Sequence, residues 1–462
     1  MNAYRLLPSI DALLTRPRVD ALSARHGRER VRAELESALG VLRSEIQSGL
    51  DAEQLRAALE AGRVEQLVEE ALAADARRGL VRAINATGVV LHTGLGRAPV
   101  HPAAAEAMRE AAQSFCVLEV DRHSGARGQR DARLSELLAR LTGAEAGIAV
   151  NNNAAACLLT LAALSGERET IVSRGELVEI GGSFRVPDVM SMAGARLVEV
   201  GTTNRTRIGD YAAAIGERTG CLMKVHRSNF RIEGFTEEVE SEELAQLGRE
   251  RGVWSAFDLG SGLVEGPNAA PLVGLEGETR VRAAVEAGLD VVSFSGDKLC
   301  GAPQAGLLAG TKRAMQALRK NPLYRALRLD KAAIAGLETS LELYLAGRGD
   351  EIPTRAMLHA TRAEVRARAE AIAAQLAGVG ALEIQVVDSM GQPGSGSAPG
   401  IELESAALRI QSPGRTPDQL ANALRAGDPP IFARVQDGAL LCDPRTLLPG
   451  EDQELVSALR AL

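Results

Sequence analysis

The sequence predicts an α/β protein built on one large, mainly parallel β-sheet, with a helical region before it and a smaller α+β region after it. Three observations support this. Residues 1–75 show only helical periodicity, short apolar runs alternate with helical patterns from residue 84 to about 310, and helical patterns followed by strand-like runs come after residue 340. With 462 residues, 45% of them apolar, the chain is long enough for two or three domains.

The first region is predicted to be helical because its apolar residues recur at i, i+3 and i+4, as Leu35, Leu39 and Leu42 do. Its charge is uneven. Residues 1–32 contain seven arginines against three acidic residues, a net charge of +4, whereas residues 33–84 have an acidic excess. A small helical head of this kind is typical of a dimerisation or capping element.

The central region is predicted to form one sheet from seven short strands, with helical patterns between several of them, as at 134–141 and 244–247. Strands of four to six residues that alternate with helices need crossover connections, which produce a mainly parallel, buried sheet. The predicted strands are Gly147–Asn151, Thr170–Ser173, Arg196–Val200, Cys221–His226, Val253–Asp258, Asp290–Ser295 and Gly306–Ala309.

The last region is predicted to be a smaller α+β domain. A helical pattern over 361–377 precedes two strand-like runs, Leu382–Val387 and Ala406–Ile410. Between the runs, Gly391–Gly400 (GQPGSGSAPG) has the composition of a loop.

These regions divide the chain into a helical N-terminal domain with its linker (1–75), a large α/β domain (76–340) and a small α+β domain (341–462). The overall net charge of −7 argues against non-specific coating of nucleic acid by the whole molecule. The five cysteines have no C-x-x-C or Cys/His ligand spacing, so neither a disulfide framework nor a metal site is expected. The N-terminus lacks the order of a signal peptide and no apolar run is long enough to span a bilayer, so we expect a cytoplasmic location.

Ser293–Gly306 carries the strongest chemical signal. A strand ends at Ser295, a turn follows, and Lys298 stands before a glycine-rich stretch. A lysine in a turn at the carboxyl edge of a sheet is placed to react with a carbonyl carbon, which makes Lys298 the candidate to carry pyridoxal phosphate as a Schiff base. Ser295 is a candidate donor to the phosphate of that cofactor. An ordinary exposed turn lysine gives the same local pattern.

Two motifs upstream favour the cofactor interpretation. Asp258 ends an apolar strand about 40 residues before Lys298, where a carboxylate would keep a pyridinium nitrogen protonated. Asn153 and Ala154 open a helix directly after a strand, and exposed N–H groups there suit a phosphate, although an asparagine N-cap gives the same pattern. No G-x-G-x-x-G or P-loop motif stands in the required context, which argues against a dinucleotide or nucleoside triphosphate site.

A third motif, KVHRSNF over Lys224–Phe230, follows another predicted strand. His226 and Asn229 are therefore candidates to stack on the cofactor ring or to hydrogen-bond with it. A structural histidine with satisfied hydrogen bonds is an equally good interpretation of His226.

Several longer motifs, in order along nearly the whole chain, resemble bacterial selenocysteine synthase, the L-seryl-tRNA(Sec) selenium transferase family. The resemblance implies the aminotransferase-like (type I) pyridoxal-phosphate fold. It also implies conversion of seryl-tRNA(Sec) to selenocysteinyl-tRNA(Sec) with selenophosphate, through a dehydroalanyl group on the tRNA. The motifs are Leu6–Leu13 (LLPSIDAL), Ile84–Arg97 (INATGVVLHTGLGR), Val150–Ala156, Ser173–Arg185, Lys224–Phe230, Ser295–Gly306 and Tyr324–Lys331 (YRALRLDK).

The resemblance also implies roles for four charged residues. Arg97, Arg325 and Arg328 match the arginines that bind the selenophosphate anion, and paired guanidinium donors suit phosphate oxygens. Asp297 matches a position with a part in catalysis. From local sequence alone, Arg325 and Arg328 would be a solvated helix face.

In the family, the helical head grips the tRNA and the subunits assemble as a ring of dimers, a homodecamer with active sites between paired subunits. Two rival functions remain. One is a pyridoxal-phosphate lyase acting on a small amino sugar or amino acid, whose shorter relatives lack the helical head. The other is a tRNA-binding protein with an inactive core, against which the complete set of Lys298, Asp258 and the arginines argues.

Overall fold

The computed structural model describes residues 3–75, 79–180, 184–266, 269, 272, 274–275, 277–378, 382–394 and 396–462. The chain divides into two compact units, Met1–Arg82 and Ala83–Leu462. The domain boundaries expected after residues 75 and 340 stay predictions. Among the described residues, no helix combines the length and the apolar character needed to cross a membrane.

The first unit is helical, as its periodicity predicts. Leu35, Leu39 and Leu42 are buried in its core together with residues of the other helices. Arg18 donates two hydrogen bonds to Glu69, at 2.7 and 2.6 Å, and so links the second helix to the fifth. The helices are α1 (Ile10–Leu14), α2 (Pro17–His26), α3 (Arg28–Gln47), α4 (Ala52–Glu60) and α5 (Arg63–Asp75).

Among its described residues, the second unit contains two larger sheets and one two-stranded antiparallel sheet. Its strands, within the described part of the chain, are β1 (Ile84–Ala86), β2 (Val89–Leu91), β3 (Ala146–Val150), β4 (Glu169–Ser173), β5 (Glu179–Ile180), β6 (Phe184–Arg185), β7 (Arg196–Val200), β8 (Thr219–Val225), β9 (Trp254–Gly260), β10 (Val291–Ser295), β11 (Gly306–Gly310), β12 (Glu383–Gly394), β13 (Leu403–Gln411), β14 (Ile431–Gln436) and β15 (Ala439–Cys442).

The helices of this unit flank the sheets. They are α6 (Pro102–Gln113), α7 (Ala132–Thr142), α8 (Asn153–Leu164), α9 (Val186–Met192), α10 (Ile208–Ala214), α11 (Ser241–Arg251), α12 (Val281–Glu286), α13 (Lys312–Lys320), α14 (Pro322–Leu327), α15 (Lys331–Leu345), α16 (Pro353–His359), α17 (Arg362–Gln375), α18 (Pro417–Arg425) and α19 (Glu451–Arg460).

The large sheet confirms the prediction for the central region. In the described residues its seven strands lie in the order β3-β11-β10-β9-β8-β4-β7, and each corresponds to a predicted strand. The neighbours from β10 to β7 are parallel, whereas β11 is antiparallel to both β10 and β3. Helices pack on this sheet through apolar residues such as Leu134 and Leu138 of α7, which are fully buried. Because β3, β8, β9 and β10 run in one direction, their carboxyl ends meet at one edge of the sheet.

The second sheet differs from the prediction at two places. Its order in the described residues is β1-β14-β15-β13-β12-β2, so residues 84–91 pair with the C-terminal strands. The loop expected over Gly391–Gly400 begins only after Gly394, because β12 continues to that residue. Gln392 and Gly394 align with Val89 and Leu91 of β2. A strand partner about 300 residues away in the chain thus overrides a local composition typical of loops.

Glu176, in a short helical turn after β4, is a buried carboxylate with a stability consequence that depends on pH. Its Oε2 accepts a hydrogen bond from the Val225 N–H at 2.9 Å, and its Oε1 lies 3.8 Å from the Lys224 amine. Burial raises the pKa of Glu176 from 4.5 to about 7, Lys224 opposes this shift, and Glu238 adds to it. A pKa raised by folding means that the native state loses stability as pH rises from about 4.5 through 7.

We therefore expect Glu176→Gln to stabilise the protein relative to wild type increasingly as pH rises from 5 to 8. Glutamine keeps the acceptor for the Val225 N–H without the buried charge. The pKa change from 4.5 to about 7 limits the gain in the free energy of unfolding to roughly 3 kcal/mol. Melting temperatures measured across this pH range test the expectation. Glu199→Gln, at a half-exposed carboxylate, serves as the control. A Tm difference between Glu176→Gln and wild type that stays constant over this range would contradict it.

Candidate active site

Four strand ends place the candidate residues at the carboxyl edge of the large sheet. β3 leads into the first turn of α8 at Asn153, β8 ends next to His226, and β10 leads into the turn that carries Lys298. β9 contains Asp258, which lies opposite Val225 of β8 in the sheet register. Most of the predicted cofactor residues therefore come together in one cavity of about 230 Å³.

Lys298 is 7% exposed and projects into this cavity. Its Nζ donates a hydrogen bond to the Gly396 carbonyl at 3.0 Å. Burial lowers the pKa of the Lys298 amine from 10.5, Asp258 opposes this shift, and the Arg97 guanidinium adds to it. The amine is thus easier to deprotonate than an ordinary lysine, as a nucleophile and a base must be.

Asp258 is 6% exposed and anchored on one side. Its Oδ1 accepts hydrogen bonds from Asn153 Nδ2 at 2.7 Å and from Ser293 Oγ at 3.3 Å. Both bonds reach the same oxygen and fix the orientation of the carboxylate, which lines the cavity. A carboxylate fixed in this way is suited to pair with a protonated ring nitrogen.

The first turn of α8 forms another wall of the cavity. Asn152 caps this helix, since its side chain accepts a hydrogen bond from the Ala155 N–H at 2.9 Å. The N–H groups of Asn153 and Ala154 come earlier in the turn, where a helix has no acceptors of its own, and both residues line the cavity. Ser295 lines it as well and is 4% exposed. These donors suit a phosphate group.

Arg97 and Asp297 form an ion pair at the mouth of the same cavity. The Arg97 Nη1 donates to Asp297 Oδ2 at 2.8 Å, and the Ala98 N–H donates to the Asp297 carbonyl at 3.3 Å. Arg97 has a φ of 64°, a conformation that few non-glycine residues adopt and that is concentrated at functional sites. Its side chain is 31% exposed, so the guanidinium remains accessible to an anion.

Pyridoxal phosphate fits the residues that line this cavity. A Cβ at position 260 would lie 3.8 Å from Asp258 Oδ1, 3.9 Å from Asn153 Nδ2 and 4.0 Å from Lys298 Nζ, so the glycine leaves open the space that these three groups face. An amine, a buried carboxylate and a helix N-terminus around one open space are the groups that a pyridine ring with an aldehyde and a phosphate requires.

Three predicted residues lie elsewhere among the described residues. Asn229 is exposed and its amide donates to the Glu179 carbonyl at 2.6 Å, so it does not line the cavity. Arg325 is exposed on α14, and Arg328 follows that helix with Nη1 3.5 Å from Glu119 Oε1. The structure of one chain does not bring these two arginines to Lys298.

Four further residues at or beside the site were not among the candidates from the sequence. Ser228 and Gln304 line the cavity, and the Gly396 carbonyl holds the lysine. The side chain of Glu278 is 3% exposed, with Oε1 3.7 Å from His226 Nε2. Ser228 and Gln304 lie inside motifs that pointed to the site, so their neighbours were a usable signal. Glu278 and Gly396 reach the site only through tertiary contacts.

Comparisons with known proteins match almost the whole chain. A family model described as L-seryl-tRNA selenium transferase matches residues 83–448, and one described as Selenocysteine synthase N terminal matches residues 4–43. The L-seryl-tRNA(Sec) selenium transferase of Moorella thermoacetica is 46% identical over 99% of this chain and 96% of its own length. The protein of the same name from Geobacter sulfurreducens is 43% identical over 100% of both chains.

A solved structure, that of D-glucosaminate-6-phosphate ammonia-lyase, is similar in fold. It is 24% identical, with a TM-score of 0.58, and the match covers 83% of this chain and 96% of that chain. The likeness concerns the fold alone, and it confirms the predicted fold class.

Proposed function

Because this chain belongs to the L-seryl-tRNA selenium transferase family, we propose that it converts L-seryl-tRNA(Sec) to L-selenocysteinyl-tRNA(Sec), using pyridoxal phosphate and selenophosphate. The family membership confirms the resemblance found in the sequence motifs. The observation that carries the proposal is the enclosed set of Lys298, Asp258 and the α8 N-terminus within a chain that matches such transferases along its whole length. We place this activity in the cytoplasm.

Each residue of the cavity has a task in this reaction. When bound, pyridoxal phosphate supplies an electron-withdrawing ring that stabilises negative charge at the substrate Cα. Lys298 holds the cofactor, and its amine, once released, is the base that takes the Cα proton. The Asp258 carboxylate would pair with the ring nitrogen, while the N–H groups of Asn153 and Ala154 and the Ser295 hydroxyl would bind the phosphate. His226, next to the end of β8, would contact the ring by stacking or by a hydrogen bond.

The selenium donor is a compact anion, and Arg97 is the cation that this chain offers at the cavity. Asp297 orients Arg97 through the 2.8 Å ion pair. Arg325 and Arg328 lie outside the cavity of their own chain, so we propose that they complete an anion site formed with a paired subunit. This arrangement requires a homo-oligomer, for which we propose a ring of dimers, a homodecamer.

The N-terminal unit is the proposed tRNA-binding element. Arg25 and Arg28 are exposed near the junction of α2 and α3, in the part of the chain with the arginine excess. Cationic side chains of this kind bind a folded RNA through its phosphates and shape. The rival lyase function has no use for such a unit.

The proposal is tested by supplying the purified holoenzyme with seryl-tRNA(Sec) and selenophosphate and detecting selenocysteine released from the tRNA by mass spectrometry. We expect selenocysteine only when both substrates are present. Free serine and phosphorylated amino sugars serve as alternative substrates. Ammonia release from a small amino sugar, without any product from seryl-tRNA(Sec), would favour the lyase and contradict the proposal.

A further inference from the structure

A second cavity, of about 320 Å³, adjoins the Lys298 cavity. His226 lines both cavities and forms their shared wall. We call this second space the Phe230 cavity. Its chemically distinctive lining residues are Lys224, Arg227, Phe230, Arg231, Glu238 and Glu278, and Pro399 and Ile401 add apolar surface.

The proposed substrate places a strict demand on the neighbourhood of Lys298. The reacting seryl group is esterified to the terminal ribose of the tRNA, so only an ester linkage separates that ribose from the carbon that must reach the cofactor. The last nucleotide must therefore occupy a space next to the Lys298 cavity. Any residue that holds it in place improves the alignment of the reacting atoms.

Among the described residues, the Phe230 cavity is better suited to a nucleotide than another cavity that shares a wall residue with the Lys298 cavity. The other, of about 150 Å³, shares Arg97, and its remaining described lining contains no second cation and no aromatic ring. The Phe230 cavity is larger and has three cations against two carboxylates, as well as two aromatic side chains, Phe230 and the buried Phe257. Single-stranded RNA ends are recognised by aromatic stacking and by arginine.

The individual groups of the Phe230 cavity match the parts of a nucleotide. Phe230 is 37% exposed, so its ring is available for a base to stack on. Arg231 is exposed, and Arg227 lies at the wall with Nη2 3.0 Å from Glu238 Oε2. Glu278 is buried, and its Oε1 has no hydrogen-bond partner among the described residues. Such an oxygen is unfavourable until a donor arrives, and ribose hydroxyls are donors.

From these contacts we infer that the Phe230 cavity binds the terminal adenosine of the aminoacyl-tRNA. The inference rests on the proposed function. Phe230 stacks on the base, Arg227 and Arg231 face the phosphate, and Glu278 accepts from the ribose. His226 then stands between the nucleotide and the cofactor, and the seryl group passes beside it to Lys298.

The test compares two tRNA(Sec) transcripts, one complete and one lacking the terminal adenosine, for equilibrium binding to the holoenzyme. Wild type is expected to bind the complete transcript more tightly. Phe230→Ala removes the stacking surface, so it should weaken binding of the complete transcript roughly 5- to 100-fold and leave the shortened one unchanged. Phe235→Ala is the matched control, because Phe235 is 84% exposed and packs near Arg205 outside the cavity.

The inference is overturned if Phe230→Ala weakens binding of both transcripts equally, or if it weakens binding of neither. If wild type binds the two transcripts equally but converts seryl-tRNA(Sec), the adenosine site is wrong and the proposed function stands. If wild type binds neither transcript, both fail. If Phe230→Ala does not retain the cofactor, the Arg231→Gln variant is used in its place. We expect it to weaken binding of the complete transcript and to leave binding of the shortened one unchanged.

Discussion

Lys298→Ala is expected to remove the absorbance band of the lysine-bound cofactor at about 420 nm and to lower the rate of selenocysteine formation by roughly 10³-fold or more. The expectation follows from the position of the amine. It is 7% exposed, lies in the cavity with Asp258 and Arg97, and is held by the Gly396 carbonyl at 3.0 Å. No other lysine lines this cavity in the described part of the chain, so nothing is placed to replace it.

Spectra between roughly 300 and 500 nm, recorded after addition of pyridoxal phosphate, provide the measurement. Lys312→Ala is the control, because Lys312 is exposed at the start of α13, away from the cavity. The control should keep both the band and the activity. A 420 nm band that persists in Lys298→Ala would show that another residue carries the cofactor.

Asp258→Asn is expected to retain the cofactor band but to lower the reaction rate by roughly 10²–10³-fold. In the wild type, the Asn153 amide donates to Asp258 Oδ1 at 2.7 Å. The asparagine keeps the shape of the side chain and an oxygen that can accept this hydrogen bond. What it lacks is the negative charge that holds a proton on the ring nitrogen, and with it the electron-withdrawing power of the ring. The loss should therefore appear in kcat rather than in the amount of bound cofactor.

Asp290→Asn is a matched control for this change. Asp290 directly precedes β10, so it lies at the opposite edge of the large sheet, where its carboxylate accepts a hydrogen bond from the Ser255 N–H at 3.1 Å. We expect its activity to remain close to wild type. If both variants lose the same fraction of activity, the effect of Asp258→Asn is one of sheet stability, and the assigned role is wrong.

The prediction from sequence succeeded where the signal was local. The seven central strands were recognised as short apolar runs with helical patterns between several of them, and a mainly parallel sheet with crossover helices produces that pattern. The order of Asn153, Asp258 and Lys298 along the chain was also informative. Strand ends of a parallel sheet meet at one edge, so residues far apart in sequence were expected to be close.

The prediction failed where distant segments decide the outcome. The glycine-rich segment from Gly391 was expected to be a loop, yet its first residues extend β12 beside β2. Asn229, near the end of β8, was a candidate to stack on the cofactor ring or to hydrogen-bond with it; its amide reaches the Glu179 carbonyl, and its role stays a prediction. Neither pairing leaves a trace in the local pattern of apolar and polar residues.

The sequence by itself determined the fold class and the family and supplied the candidates for the central chemical groups, because strand periodicity and motif order are properties of neighbouring residues. Only the tertiary structure decided which side chains share the cavity. It brings Arg97 against Asp297 and Gly396 against Lys298, and leaves Arg325 and Arg328 outside. It also reveals the Phe230 cavity, whose walls come from β8, from the residues around Glu278 and from those before β13. Such contacts depend on packing between segments distant in the chain, which no local pattern encodes.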